Sequence, residues 1–185
     1  MILKVLMFML LYLQLPSVDS CNVRPADKCD DGWVYYKRDK TGWCMKSVLE
    51  QMNKTEATKI CNDLGAVISS IDNMDMYNFI TNDTYFIGLF FWIGAKLRAE
   101  CDCGQDQCVW KPECDYEQGY VWTDGYTSTN PANLINIPLP GPDVINGTEY
   151  YLRYDSLYLW YGSSVMPAMF SHIMNGVICG KPVEN

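Results

Sequence analysis

Tyr85-Phe86-Ile87-Gly88-Leu89-Phe90-Phe91-Trp92-Ile93-Gly94-Ala95-Lys96-Leu97 carries one charged side chain, Lys96, and is otherwise aromatic, aliphatic or glycine. Apolar residues at successive rather than alternate positions predict a central strand buried on both faces. Working outward, a cysteine-rich loop follows, from Cys101 through Cys103 and Cys108 to Cys114. Tyr120-Val121-Trp122-Thr123 reads as a short strand ended by Asp124-Gly125. Thr127 to Thr148 is rich in Pro, Gly and Asn and reads as a long irregular loop, a feature that is functional or disordered in most domains. Tyr150–Tyr154 and Leu157–Tyr161 suggest a hairpin around Asp155-Ser156, and Val177-Ile178-Cys179 a last strand.

On the other side of the central run, Asn53 with Glu56 is close to a capping box. Ala57, Ile60, Cys61 and Leu64 fall at i, i+3, i+4 and i+7, one face of a helix that Gly65 stops. Ala66 to Ile71 is a short strand or extended link. Asn73 caps a second helix with Met76, Phe79 and Ile80 on one face. Further back, Trp33–Lys37 and Trp43–Val48 predict a hairpin turned at Asp39-Lys40-Thr41-Gly42. Two early helices and many short, mostly antiparallel strands make an α+β class.

The chain has 185 residues, enough for one domain, with 49% apolar and 14% aromatic residues. Residues 1–20 have the layout of a cleaved signal peptide: Lys4, the apolar run Val5 to Leu13, then Pro16 and the small residues Val18 and Ser20. The run is too short for a membrane anchor, and membrane insertion is not expected. The expected location is extracellular. Three glycosylation sequons, at Asn53, Asn82 and Asn146, agree with it. So do nine cysteines, read outside the cell as a disulfide framework with one thiol left over. A net charge of -8 without a Lys/Arg cluster argues against nucleic acid and anionic membranes as partners.

The order of these markers resembles the C-type lectin-like domain, in the form of a secreted single-domain member similar to nematode proteins of that family. Cys29-Asp30-Asp31-Gly32-Trp33 with Trp43-Cys44 looks like its opening hairpin. Cys61 with Leu64-Gly65-Ala66 looks like its first helix, Trp92-Ile93-Gly94 its central strand, Trp122-Thr123-Asp124-Gly125 its next marker and Ile178-Cys179 its last strand. The resemblance places the domain at 29–181, with a short extension at 21–28 and a tail at 182–185. It implies bridges Cys29–Cys44 and Cys61–Cys179. The family's further bridge, which braces its long loop, has no cysteines here, and packing of Tyr151, Leu159 and Trp160 is expected to replace it. The four cysteines of the insert admit a tetrahedral zinc site or two disulfides. Outside the cell the second is preferred, nested as Cys101–Cys114 and Cys103–Cys108.

Sugar-binding members of the family hold calcium in the long loop, through a Glu-Pro-Asn or Gln-Pro-Asp motif and a Trp-Asn-Asp motif. Here these align with Asn130-Pro131-Ala132 and Trp160-Tyr161-Gly162, where Ala132 and Gly162 offer no side-chain oxygen. Calcium wants several hard oxygen ligands, so no metal and no other cofactor is expected. Asn130, Tyr126, Glu149 and Tyr161 remain candidate ligand contacts, and Pro131 is either the family's cis proline or an ordinary trans one. His172 stands alone among apolar neighbours, beside Ser171, and no phosphate-loop or zinc-protease motif is present. Catalysis is not expected. The function implied is recognition of a glycan or an extracellular protein without calcium, with host defence as one setting. The alternatives are a calcium-dependent lectin with a rearranged site and a structural protein of secretions. Cys21, the odd cysteine, is expected to be capped or to link a covalent dimer.

Overall fold

The computed structural model describes residues 29–38, 41–82, 84–104, 107–109, 111–114, 118–131, 143–145, 148–152, 156–160, 164–169 and 171–183. In chain order these form β1 (Val34–Lys37), β2 (Gly42–Met52), α1 (Lys54–Asp63), β3 (Val67–Ile68), α2 (Met74–Thr81), β4 (Phe90–Leu97), β5 (Gln107–Val109) and β6 (Tyr120–Trp122). Then come β7 (Asp143–Ile145), β8 (Thr148–Leu152), β9 (Ser156–Trp160), β10 (Ser164–Ala168) and β11 (Met174–Pro182). The main sheet runs β1-β2-β11-β4-β9-β10, with β3 added to β11 and β6 to β4. A separate sheet has the order β5-β8-β7. The pairs are antiparallel except β11 with β4.

Strand β4 sits inside the sheet and is buried on both faces, which is why its sequence does not alternate. Phe91, Ile93 and Ala95 join Trp43, Met45 and Ile178 in the core under α2. Trp92 points the other way, into a second core with Ala57, Cys61, Val177 and Cys179 under α1. Gly94 is set by space: a Cβ there would stand 2.2 Å from the Ile68 carbonyl oxygen. The backbones of Gly94 and Ser69 pass close enough for Gly94 N–H to donate to Ser69 O at 2.8 Å.

The strand is shorter than the apolar run. Thr84–Phe86 is a 3-10 turn, and Gly88, at φ 83°, reverses the chain before β4 starts at Phe90. Tyr85 and Ile87 consequently stand 76% and 60% exposed. Both helix starts are as the sequence predicts. Asn53 Oδ1 accepts from Glu56 N–H while Glu56 accepts from Asn53 N–H, and Asn73 Oδ1 accepts from Met76 N–H. On α1, Ala57 and Cys61 are buried and Ile60 is half-buried, but Leu64 is the exposed C-cap residue. Lys54 is buried at the other end; its ammonium donates to the Ile93 carbonyl and lies 5.1 Å from the Trp92 ring centroid.

The expected hairpin of Tyr150–Tyr154 with Leu157–Tyr161 does not form. Strand β9 pairs with β4 and β10, while β8 pairs with β5 and β7. Leu159 is fully buried against the core, a reward that a local hairpin turn does not offer. Strand β8 instead ties the cysteine insert to the long-loop region, with Cys108 opposite Tyr151 in register. The side chains of Tyr151 and Trp160, expected to replace the family's further bridge by packing, lie outside the described residues. The long loop is not wholly irregular either, because it contains β7. At the C-terminus β11 runs to Pro182, and Val183 N–H donates to Gly42 O at 3.0 Å.

Cys29 is bonded to Cys44, Cys61 to Cys179 and Cys101 to Cys114. The last bond removes the zinc reading of the insert. Cys103 is also disulfide-bonded, but the side chain of its expected partner, Cys108, lies outside the described residues, as does Cys21. The Asn130–Pro131 peptide is trans, since no peptide bond among the described residues is cis. Among those residues no helix is long and apolar enough to cross a membrane.

Candidate functional site

The second half of β6 delivers the chain into a clamped loop. Ala95 is opposite Trp122 in register, and Thr123 N–H donates to Gly94 O at 2.8 Å. Asp124 then turns inward and is buried. Its Oδ1 accepts from the Tyr126 and Thr127 amides, both at 2.9 Å. Its Oδ2 accepts from Arg38 Nη1 at 2.8 Å and from the Thr127 hydroxyl at 2.9 Å. Gly125, at φ 76°, supplies the left-handed backbone that this reversal requires.

Arg38, just beyond β1, is the hub of this network. Its Nη2 donates to Ser70 O at 2.9 Å and to Ser69 Oγ at 3.4 Å. Its guanidinium lies 3.9 Å from the Trp43 ring centroid, and Trp43 Nε1 donates to Ser69 Oγ at 3.0 Å. The ring of Tyr126 packs against Trp43, centroids 5.2 Å apart. Arg38 Nε is buried without an acceptor among the described residues. Burial alone would push the Asp124 carboxyl up. The Arg38 hydrogen bond, the two amides and the Arg38 charge outweigh it, so the carboxyl is held below the ordinary carboxylate value.

The loop is also pinned outside this hub. Thr129 Oγ1 donates to Asp72 O at 2.7 Å and accepts from Trp122 Nε1 at 3.3 Å. The result is a groove of about 320 Å³ between this loop and the sheet edge, bordered by Arg98, Tyr120, Trp122 and the stretch from Thr127 to Pro131. Arg98 joins it to the insert, donating to Glu113 O at 2.6 Å. Hydroxyls, an amide, an indole and a guanidinium in one shallow groove suit hydrogen bonding and stacking rather than proton transfer or nucleophilic attack.

Of the candidate ligand contacts, Tyr126 and Asn130 are both on this loop; Asn130 is exposed and borders the groove, while Tyr126, 51% exposed, packs on Trp43. Glu149 belongs to β8 by its backbone, but its side chain, like all of Tyr161, lies outside the described residues. Asn53 and Asn82 are helix-end residues, and Asn146 lies outside the described residues. His172 and Ser171 are both exposed in the turn before β11. Among the described residues no three His, Cys, Asp or Glu side chains converge as a metal site would need. The sequence reading missed Arg38, which lies 86 positions from its Asp124 partner. It also missed Thr127 and Thr129. A Trp-x-Asp-Gly turn announces a buried Asp, but nothing local names its cation.

The family model for C-type lectin domain-containing protein 141/158 matches residues 36–136. C-type lectin domain-containing protein 161 of Caenorhabditis elegans is 25% identical over 100 residues, 52% of this chain and 10% of that protein, so the match spans about a tenth of that relative. Among solved structures, a calcium-independent type II antifreeze protein superposes with a TM-score of 0.55 at 17% identity, covering 84% of this chain and 95% of that one. The mouse scavenger receptor C-type lectin carbohydrate-recognition domain gives 0.53 at 20% identity, covering 85% and 98%. A calcium-dependent type II antifreeze protein gives 0.52 at 17% identity, covering 83% and 99%. At these identities the structural likeness is one of fold.

Proposed function

Because the chain belongs to the C-type lectin domain family, we propose that it is a secreted recognition protein that binds a glycan or protein ligand on its clamped loop, without calcium. The observation that carries this reading is the commitment of Asp124. Both of its oxygens are occupied by Arg38, Thr127 and two backbone amides. The ion pair and the amide contacts together hold the loop in one shape. Tyr126 and Asn130 remain exposed on this loop, Asn130 at the border of the Trp122 groove.

The calcium motifs point the same way. Ala132 and Gly162 cannot ligate a hard cation through their side chains, and a calcium site needs six to eight oxygens in all. The fold is shared by proteins named as calcium-independent and calcium-dependent, so the reading rests on these residues. Secretion is supported by the buried disulfides, which persist in an oxidising compartment. Among the described residues that border the groove, no nucleophile, base and oxyanion donors are arranged for catalysis.

A screen against immobilised glycans and extracellular proteins, run throughout with chelator, tests the proposal. The expected result is a specific ligand whose binding survives chelator and weakens about tenfold or more in Tyr126→Ala, as for an exposed aromatic contact. Binding abolished by chelator contradicts the calcium-free reading. Binding indifferent to Tyr126→Ala and to Asn130→Ala moves the site off this loop.

A further inference from the structure

We propose that the first sugars of an N-linked glycan on Asn82 dock into the cavity between α2 and the β1–β2 hairpin and cover its apolar walls. The cavity measures about 440 Å³, within the ~300–1,000 Å³ of sites that bury a small ligand. Its sheet side is Val34, Met45 and Ile178; its helical side is Phe79, Ile80 and Phe86. Met45 and Ile178 are core residues, and Val34 is 49% exposed at the mouth. Val34 and the half-buried Phe79 and Phe86 therefore leave apolar surface facing the opening, which costs hydrophobic free energy unless something covers it.

The occupant is indicated by the wall itself. Asn82 is the C-cap residue of α2, is exposed, and borders this same cavity. It is also the acceptor of the Asn82-Asp83-Thr84 sequon. A sugar joined to its amide nitrogen begins at the rim and need not be recruited from solution. The tether alone gives an effective concentration of about millimolar. The chemistry matches on both sides. The C–H faces of a sugar ring are apolar enough to lie on Phe79 and Phe86, while its hydroxyls stay at the mouth near Ser47 and the Asn82 backbone. Asn53 differs: its side-chain oxygen is engaged in capping α1, and it does not border this cavity. The proposal is independent of how the Tyr126 loop functions. It requires passage through a glycosylating secretory pathway, which the disulfides also fit.

The test uses the full chain secreted from glycosylating eukaryotic cells, with peptide mapping at Asn82 and cleavage by a peptide N-glycosidase on the native protein. Val34→Trp, at an exposed edge-strand position, places an indole in the mouth of the cavity and displaces the sugar without touching the sequon. Asn82 is expected to be occupied. Its glycan should be released about tenfold faster from Val34→Trp than from wild type, the ratio for a glycan undocked about a tenth of the time. Removing the glycan from wild type should lower Tm by about 2–4 °C, the shift for one lost contact of about 1 kcal/mol in a domain of this size. An unmodified Asn82 in the secreted protein overturns the proposal. So do equal native release rates from wild type and Val34→Trp.

Discussion

Removing the Cys61–Cys179 bridge, as the double variant Cys61→Ser/Cys179→Ser, is expected to lower the free energy of unfolding by about 4–5 kcal/mol. The bond spans 118 positions and joins α1 to β11 across the second core, where both cysteines are fully buried. The unfolded chain without it regains the entropy of a very long loop, and two buried hydroxyls replace an apolar bridge. The matching variant of the insert, Cys101→Ser/Cys114→Ser, opens a loop that the bridge closes over a span of 13 and should cost about 3 kcal/mol. Urea unfolding of both variants, read by tryptophan fluorescence, checks the order. An insert variant that is the less stable of the two contradicts it and shifts the main staple of the domain to the loop side. The double substitution matters, because a single serine would leave a buried thiol free to exchange.

Asp124→Ala is expected to cost about 3–5 kcal/mol, the range for removing one partner of a buried ion pair. The Arg38 guanidinium would keep its desolvation and lose its carboxylate, and the Tyr126 and Thr127 amides would lose their shared acceptor. The pH dependence follows from the same contacts. The folded carboxyl is held below its ordinary value, so its stabilisation is complete above the unfolded value of about 3.9 and is lost as pH falls through the folded value. Wild type should therefore lose stability steeply on acidification below about pH 4, and Asp124→Asn should flatten that limb while being less stable at neutral pH. Chemical denaturation across that range decides it; an acid limb unchanged by Asp124→Asn assigns the acid sensitivity to other carboxylates. Ligand binding should fall along with stability, since the same clamp shapes the loop that carries Tyr126.

What the sequence made legible was local or carried by resemblance. Asn53 and Asn73 announced both helix starts because capping needs only neighbours three residues apart. The Trp-Ile-Gly stretch declared a buried central strand, and the structure gives the reason for its glycine, the close approach of the Ile68 carbonyl. The pairing of β8 was not legible. A turn-like Asp155-Ser156 between two aromatic runs favours a hairpin locally, but β9 gains more from lying beside β4. Strand β10 went unread; its Pro167 is tolerated because the strand lies at an edge of the sheet. The site was half visible. Tyr126 was a candidate contact, whereas Asp124 stood only as the turn residue that ends the Tyr120–Thr123 strand. Arg38 could not be read, because the ion pair that shapes the loop is made between segments that share no local pattern.

The melting temperature of the secreted protein in excess calcium and in chelator tests the central claim most directly. A calcium ion held by the folded state alone, at about 100 times its Kd, adds about 2.7 kcal/mol to stability, which is about 5–10 °C in a domain of this size. Recognition by a calcium-free loop clamped through Arg38 and Asp124 predicts the same Tm in both solutions. A rise of several degrees with calcium, reversed by chelator, would contradict it.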